Sequence, residues 1–228
     1  MKAKISEIFR SVQGEGKYLG VDQIFVRFSG CNLSCDWCDT PSAQDPTAYA
    51  EMSSEEILSI LVQMGAGNCH SISLTGGEPL LQSDFLLELL PELKKKHYKI
   101  YLETNGVLVD ALKKNIRSID IISMDFKLPS SCHCKDHWEE HLQFLKTAKR
   151  KKVFVKAVIS KNTVIEDVSR ARDLIYSVAS DILLVLQPNA IELDAELWEK
   201  CCGFQQHCAE KLRDVRVIPQ VHRLLGIR

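Results

Sequence analysis

Short β-branched apolar runs alternate along this chain with longer amphipathic stretches. The short runs predict strands over residues 24–28, 71–74, 99–103, 119–124, 153–159, 182–187 and 215–219. Between them the apolar positions recur at helical spacing. Ser53 and Glu56 form a capping box ahead of Ile57, Ile60, Leu61 and Met64. Leu86, Leu89, Leu90 and Leu93 repeat the spacing, as do Val164, Val168, Ala171, Ile175 and Val178. Residues 194–212 predict a longer helix.

Strand and helix in alternation mean βαβ units and a parallel sheet. About six units fit before Val215, whereas a closed (β/α)8 barrel typically takes ~250 residues. Much of the first 50 residues reads as loop. The expected fold is therefore α/β, a partial (β/α)6 TIM-like barrel, with a flavodoxin-like open sheet as the alternative. No repeat, low-complexity tract or Pro/Gly/Ser linker divides the chain, so residues 1–228 read as a single domain.

Parity within the strands favours the barrel. Arg27, Thr75, Glu103, Ser123, Asp125, Lys156 and Gln187 sit near strand C-termini and alternate with apolar neighbours such as Val26, Phe28 and Leu74. A pleated strand sends alternate side chains to opposite faces, so these polar groups share one lumen near its top. That end of a barrel carries the active site. The plainer alternative for each residue is a strand end reaching solvent.

Composition narrows the class. The chain is 45% hydrophobic and 26% charged, with a formal net charge of −1, so no global field attracts nucleic acid or an acidic membrane surface. The lysine-rich runs at 94–96 and 149–152 read as solvated helix ends, ahead of a tRNA-binding patch. No apolar stretch approaches the ~18 residues of a membrane span, and the first residues carry no apolar signal segment. Nine cysteines in such a chain imply a reducing, cytoplasmic setting, with thiols that pack, ligate or react and no disulfide framework.

Three of those cysteines, Cys31, Cys35 and Cys38, fall within one short polar loop directly after a strand. They can converge on one centre without long-range folding. A closed structural zinc site would need a fourth ligand, usually from a second pair. The nearest second pair, Cys132 and Cys134, lacks the usual spacing. An iron–sulfur cluster with three protein ligands leaves one iron open to a substrate or cofactor, which a four-cysteine electron-transfer cluster does not.

C-x3-C-x2-C with Trp37 before its last cysteine resembles the radical S-adenosylmethionine (SAM) superfamily. Gly76-Gly77-Glu78-Pro79, Glu103-Thr104-Asn105-Gly106 and Gln187-Pro188-Asn189 resemble further superfamily segments, in order and at strand ends. Ser11-Val12-Gln13-Gly14-Glu15-Gly16, Gly20, Arg27-Phe28-Ser29-Gly30-Cys31 and Cys38-Asp39-Thr40 are similar to the 7-carboxy-7-deazaguanine synthase family, and the tail from Pro219 is similar to that family's tail. The resemblance covers the whole chain.

It implies a [4Fe–4S] cluster on Cys31, Cys35 and Cys38, and Mg2+ touching the Thr40 hydroxyl. SAM contacts fall on Trp37, Asp39, Gly77, Glu78, Glu103, Ser123, Asp125, Gln187 and Asn189. Substrate contacts fall on Val12, Gln13, Gly14, Arg27 and Thr75. No catalytic side chain is implied beyond the cluster and SAM. The implied reaction is radical ring contraction of 6-carboxy-5,6,7,8-tetrahydropterin to 7-carboxy-7-deazaguanine and ammonia, in queuosine and 7-deazapurine biosynthesis. A flavodoxin-type electron donor and a homodimer are implied as partners, with no nucleic acid and no membrane.

The residue types suit those roles. A pterin carboxylate fits a planar, permanently charged guanidinium, which Arg27 supplies. Gln13 and the backbone of Gly14 can pair with a pterin edge. Magnesium takes oxygen ligands and keeps waters, so one hydroxyl with substrate oxygens suffices. Where many relatives carry Ser-Pro-Lys, this chain has Ser123-Met124-Asp125-Phe126-Lys127, so Ser123 and Lys127 stand in with two extra residues between them. Residues 41–51 read as a polar loop. The remaining cysteines read as buried thiols, with Cys132-His133-Cys134 able to take adventitious zinc and an auxiliary cluster as a further alternative. Two other functions stay open: an activating enzyme that makes a glycyl radical on a protein partner, and a non-catalytic iron–sulfur or zinc module.

Overall fold

The computed structural model describes residues 1–43, 47, 49–132 and 134–226. The first antiparallel pair is β1 (Lys2–Val12) with β2 (Asp22–Phe28), and β3 (Ala50–Ser53) pairs with the other side of β1. Helix α1 (Ser54–Gln63) starts on Ser53, whose hydroxyl accepts from the Glu56 amide while Glu56 returns a bond to the Ser53 amide. Then β4 (Ser71–Gly76), α2 (Ser83–Lys95), β5 (Ile100–Thr104), α3 (Val109–Asn115), β6 (Ile121–Phe126), α4 (Pro129–Cys132), α5 (Trp138–Ala148), β7 (Lys152–Ile159), α6 (Ile165–Val178), β8 (Leu184–Pro188), α7 (Ala195–Ala209), β9 (Val215–Val217) and α8 (Val221–Leu225) follow.

All nine strands form one unclosed sheet in the order β3-β1-β2-β4-β5-β6-β7-β8-β9. Every pair from β2 to β9 is parallel. The partial barrel expected from the alternation is what forms. The reading of the first 50 residues as mostly loop is corrected: β1 is the longest strand of the described residues. Its N-terminal half alternates charged and apolar residues (Lys2, Ala3, Lys4, Ile5), with Ala3 and Ile5 buried. Within the expected loop 41–51, residues 41–43 form a short 3-10 turn and β3 begins at Ala50. Positions 44–46 and 48 lie outside the described residues.

The pleat divides the core in two. One parity (Ile24, Val26, Phe28, Ile72, Leu74, Leu102, Met124, Val155, Leu184) packs under the helices in the large outer cluster. The other parity faces the lumen. There Tyr101, Ile121, Phe154, Leu183 and Val185 form a separate apolar plug with Tyr18 and Ile218. One step nearer the strand C-termini, on the same parity, stand Glu103, Ser123, Lys156 and Gln187. The polar residues expected to share a lumen do share it, above an aromatic floor.

The disulfide expectation also needs correction. Cys132 and Cys134 are bonded, their Cα atoms 5.3 Å apart, while the other seven cysteines are free. Cα separations of this size lie within the range that a disulfide spans. His133, between them, lies outside the described residues.

Candidate active site

A cavity of about 390 Å³ opens at the C-terminal end of the strands. Its wall carries Cys31, Cys35, Cys38, Trp37, Asp39, Thr40, Val12, Gln13, Gly14, Arg27, Thr75, Gly77, Glu103, Ser123, Asp125, Gln187 and Asn189. Of the residues singled out from the sequence, Glu78 alone is not on that wall. It is fully buried behind it, accepting from the Leu80 amide (3.0 Å), the Asn105 amide (2.8 Å) and the Thr104 hydroxyl (3.0 Å). It thereby ties the turn after β4 to the end of β5. Burial pushes its carboxyl up to about 7, against the pull of those donors.

The three-cysteine loop is held by backbone contacts. The Gly77 amide donates to Phe28 O (3.0 Å) and the Glu78 amide to Gly30 O (2.8 Å). A Cβ at Gly77 would stand 2.1 Å from the Gly30 oxygen, so only glycine fits between the two loops. The Trp37 indole donates to the Ser131 carbonyl (2.8 Å), and the Lys127 ammonium sits 4.5 Å from its ring centroid. Lys127 also bonds Asp125 at 2.9 Å. Ser123 and Lys127 both line the cavity. Burial raises the Cys31 and Cys35 thiols, while the Lys127 charge favours both thiolates.

Opposite the thiols the polar groups are knitted together. Gln13 Nε2 donates to Glu103 (2.8 Å) and to Gln23 (3.0 Å), and the Thr75 hydroxyl donates to Glu103 (2.7 Å). Glu103 was expected among SAM contacts, yet its carboxylate is bonded to two residues of the substrate set. Arg27 Nε donates to Glu7 (2.8 Å) and its Nη1 to the Thr40 hydroxyl (3.3 Å), which donates in turn to Asp39 (3.1 Å).

A third group went unassigned from the sequence. Lys156 of β7 bonds Glu15, with Asp125 3.6 Å away. Burial lifts the Glu15 carboxyl, but Lys156, the Gln220 amide and His222 outweigh it and hold the group below its ordinary value. Gln220 Nε2 donates to Glu15 (2.8 Å) and Asp39 (3.2 Å), and the Val221 amide to Gly14 O (3.0 Å). Glu15, Asp39 and His222 bring two oxygens and a ring nitrogen within 4.8 Å of one another. A Cβ at Gly14 would strike the His222 ring at 2.5 Å. The tail thus closes over the loop after β1. The sequence signals were the motif around Glu15, the inward parity of Lys156 and the tail itself, but nothing local said that they meet.

The donor set fits a cluster and a nucleoside sulfonium. Three free cysteines share one wall. Both amide atoms of Gln187 and Asp125 Oδ1 are buried in the cavity lining without a hydrogen-bond partner. Such orphans are costly unless a ligand satisfies them.

Residues 25–175 match the Radical SAM superfamily. A 7-carboxy-7-deazaguanine synthase of Geobacter sulfurreducens is 40% identical over 251 aligned positions, covering 98% of this chain and 97% of that protein. One of Methanothermobacter thermautotrophicus is 35% identical, covering 100% and 99%. The chain belongs to the 7-carboxy-7-deazaguanine synthase family of radical SAM proteins. The crystal structure of QueE from Escherichia coli superposes with a TM-score of 0.71 at 22% identity, covering 97% of this chain and 95% of that one, and so shares the fold. Family membership implies a [4Fe–4S] cluster and SAM, and it sets aside the glycyl-radical activating enzyme and the non-catalytic module. Among the described residues no helix is long and apolar enough to cross a membrane.

Proposed function

We propose that this chain converts 6-carboxy-5,6,7,8-tetrahydropterin to 7-carboxy-7-deazaguanine and ammonia. The observation that carries the reading is one cavity lined by three thiols, by the bonded set Gln13, Thr75 and Glu103, and by Arg27, in a chain 40% identical over nearly its whole length to such a synthase. Cys31, Cys35 and Cys38 hold the cluster. With SAM, the cluster they would hold would supply the radical chemistry, hydrogen abstraction from the pterin included.

The chain's own residues place and shield the substrate. Glu103, steadied by Gln13 and Thr75, presents a carboxylate to the amino and ring N–H edge of the pterin, a donor pair that matches two carboxylate oxygens. Arg27 meets the pterin carboxylate with its remaining N–H groups. Thr40 and Asp39 offer oxygens to Mg2+, which substrate oxygens and water complete. Gln187, Asn189, Ser123 and Asp125 take the polar atoms of SAM, and Trp37 walls its cavity. The tail and the Glu15–Lys156 pair exclude water from the far end. A flavodoxin-type donor and a homodimer rest on the family resemblance alone, and a cytoplasmic setting on the cysteine usage.

Anaerobic turnover of the reconstituted protein with this pterin, SAM, Mg2+ and dithionite tests the reading. Expected is a deazaguanine acid that appears with consumption of the pterin. Formation of 5′-deoxyadenosine without any deazaguanine would sink it.

A further inference from the structure

Among the described residues from Cys132 to His141, two cysteines and two histidines are potential metal ligands that the reaction does not use. Cys132 and His141 are 0% exposed and His137 is 3% exposed, with Cys134 half-buried. Each buried imidazole has at least one ring nitrogen without a hydrogen-bond partner. His141 Nε2 lies 3.1 Å from the Asn105 carbonyl, which can only accept, so Nε2 carries the proton and Nδ1 is a bare lone pair with no partner. His137 has no hydrogen-bond partner on either ring nitrogen, and Glu140 Oε1 lies 3.6 Å from its Nδ1. The two ring centroids are 6.3 Å apart. An imidazole oriented by a carbonyl or carboxylate on one nitrogen and bare on the other is the arrangement metal-ligating histidines show. Buried without a ligand, each bare nitrogen costs free energy.

The sulfur pair completes the set. A chain that works with a thiolate-held, electron-accepting cluster works in a reducing medium, where a Cys132–Cys134 bond opens. Two electrons and two protons from a dithiol reductant break the S–S bond and leave two thiols, and the reductant becomes the disulfide. Two thiols and two bare imidazoles are the Cys2His2 donor set that zinc prefers, and His137 and His141 have the H-x3-H spacing. We propose that the reduced protein binds one zinc ion through Cys132, Cys134, His137 and His141, separate from the iron cluster. Binding displaces both thiol protons to solvent. The site anchors the segment whose Ser131 carbonyl holds Trp37, so it braces the three-cysteine loop from behind.

The test uses full-length protein reduced with a phosphine, in a Cys31/Cys35/Cys38→Ala background so that zinc cannot occupy the cluster thiols. Expected by elemental analysis is about one zinc per chain, falling to near none in Cys134→Ser and in His137→Gln. Cobalt in place of zinc should give a thiolate charge-transfer band with tetrahedral ligand-field absorption. Alkylation mapping adds a measurement that needs no variant: zinc should protect Cys132 and Cys134, and a chelator should expose them. In the reconstituted native chain, Cys134→Ser should lose zinc while retaining about four irons. Zinc retained in both variants, no zinc in the reduced parent, or equal alkylation with and without zinc would each overturn the proposal.

Discussion

The two walls of the cavity are built in opposite ways. The thiol wall is one continuous loop whose ligands lie within eight residues, held by backbone bonds to the neighbouring turn at Gly77 and Glu78. The opposite wall is assembled from residues far apart in the chain, Gln13 with Glu103 and Glu15 with Lys156, and Gln220 ties it back to Asp39 beside the thiol loop. A loop keeps its ligand spacing whatever surrounds it. A long-range network exists only when the whole sheet has formed, so each member depends on partners that folding must deliver.

Breaking the thiol wall has the largest expected effect. Cys35→Ala should abolish the cluster, both 5′-deoxyadenosine and deazaguanine formation, and the reduced-cluster EPR signal, while the thermal transition stays close to the parent's. Equal yields from parent and variant would separate the loop from the chemistry. Breaking the opposite wall should act through stability. Lys156→Met leaves Glu15 buried without its cation, which costs about 3–5 kcal/mol and lowers Tm by roughly 10 °C. Adding Glu15→Gln should restore part of that loss, and a double variant no better than the single one would contradict the pairing.

The seam between the walls is sharpened by pH. The Glu78 carboxyl is pushed up to about 7 from 4.5. Its neutral form is favoured in the fold, so its contribution is complete below about 4.5 and is lost as pH rises through about 7. Chemical denaturation should show roughly 3 kcal/mol of this loss across that window, absent in Glu78→Gln. Parallel stability profiles for the two proteins would rule it out. The smallest effect concerns recognition: Arg27→Ala should raise KM for the pterin by about 10- to 100-fold and leave SAM binding and the cluster spectrum unchanged. A variant that loses SAM binding instead would move Arg27 out of the substrate set.

Much of the fold was legible because its signals are local. Seven strand runs and four helices show in period-2 and period-3.6 patterns, and the lumen-facing parity put Arg27, Thr75, Glu103, Ser123, Asp125, Lys156 and Gln187 on the one wall where they lie. Strand β1 was hidden because its middle (Ser6, Glu7, Ile8, Phe9, Arg10) does not alternate cleanly, and its register shifts between Ile5 and Glu7. Helix α3 was passed over because it is only seven residues long, and α5 because its buried stripe runs through His141 and opens beside two glutamates.

Glu78 shows the limit of motif reading. Its place in a recognised turn marks it for the cofactor, yet its side chain points back into protein and bonds Leu80, Thr104 and Asn105. Glu103 shows the same limit from the other side, since its bonds to Gln13 and Thr75 join three separate elements and no local pattern announces them.

The chain by itself determined the ligand triplet, the strand–helix alternation and the inward parity, because each depends on covalent spacing and backbone period within a few residues. Tertiary structure alone decided which distant charges meet, that the tail covers Gly14 and Glu15, and that two buried imidazoles are each left with a bare nitrogen. Those outcomes turn on desolvation and hydrogen-bond satisfaction among groups up to about 200 positions apart, which no local pattern encodes.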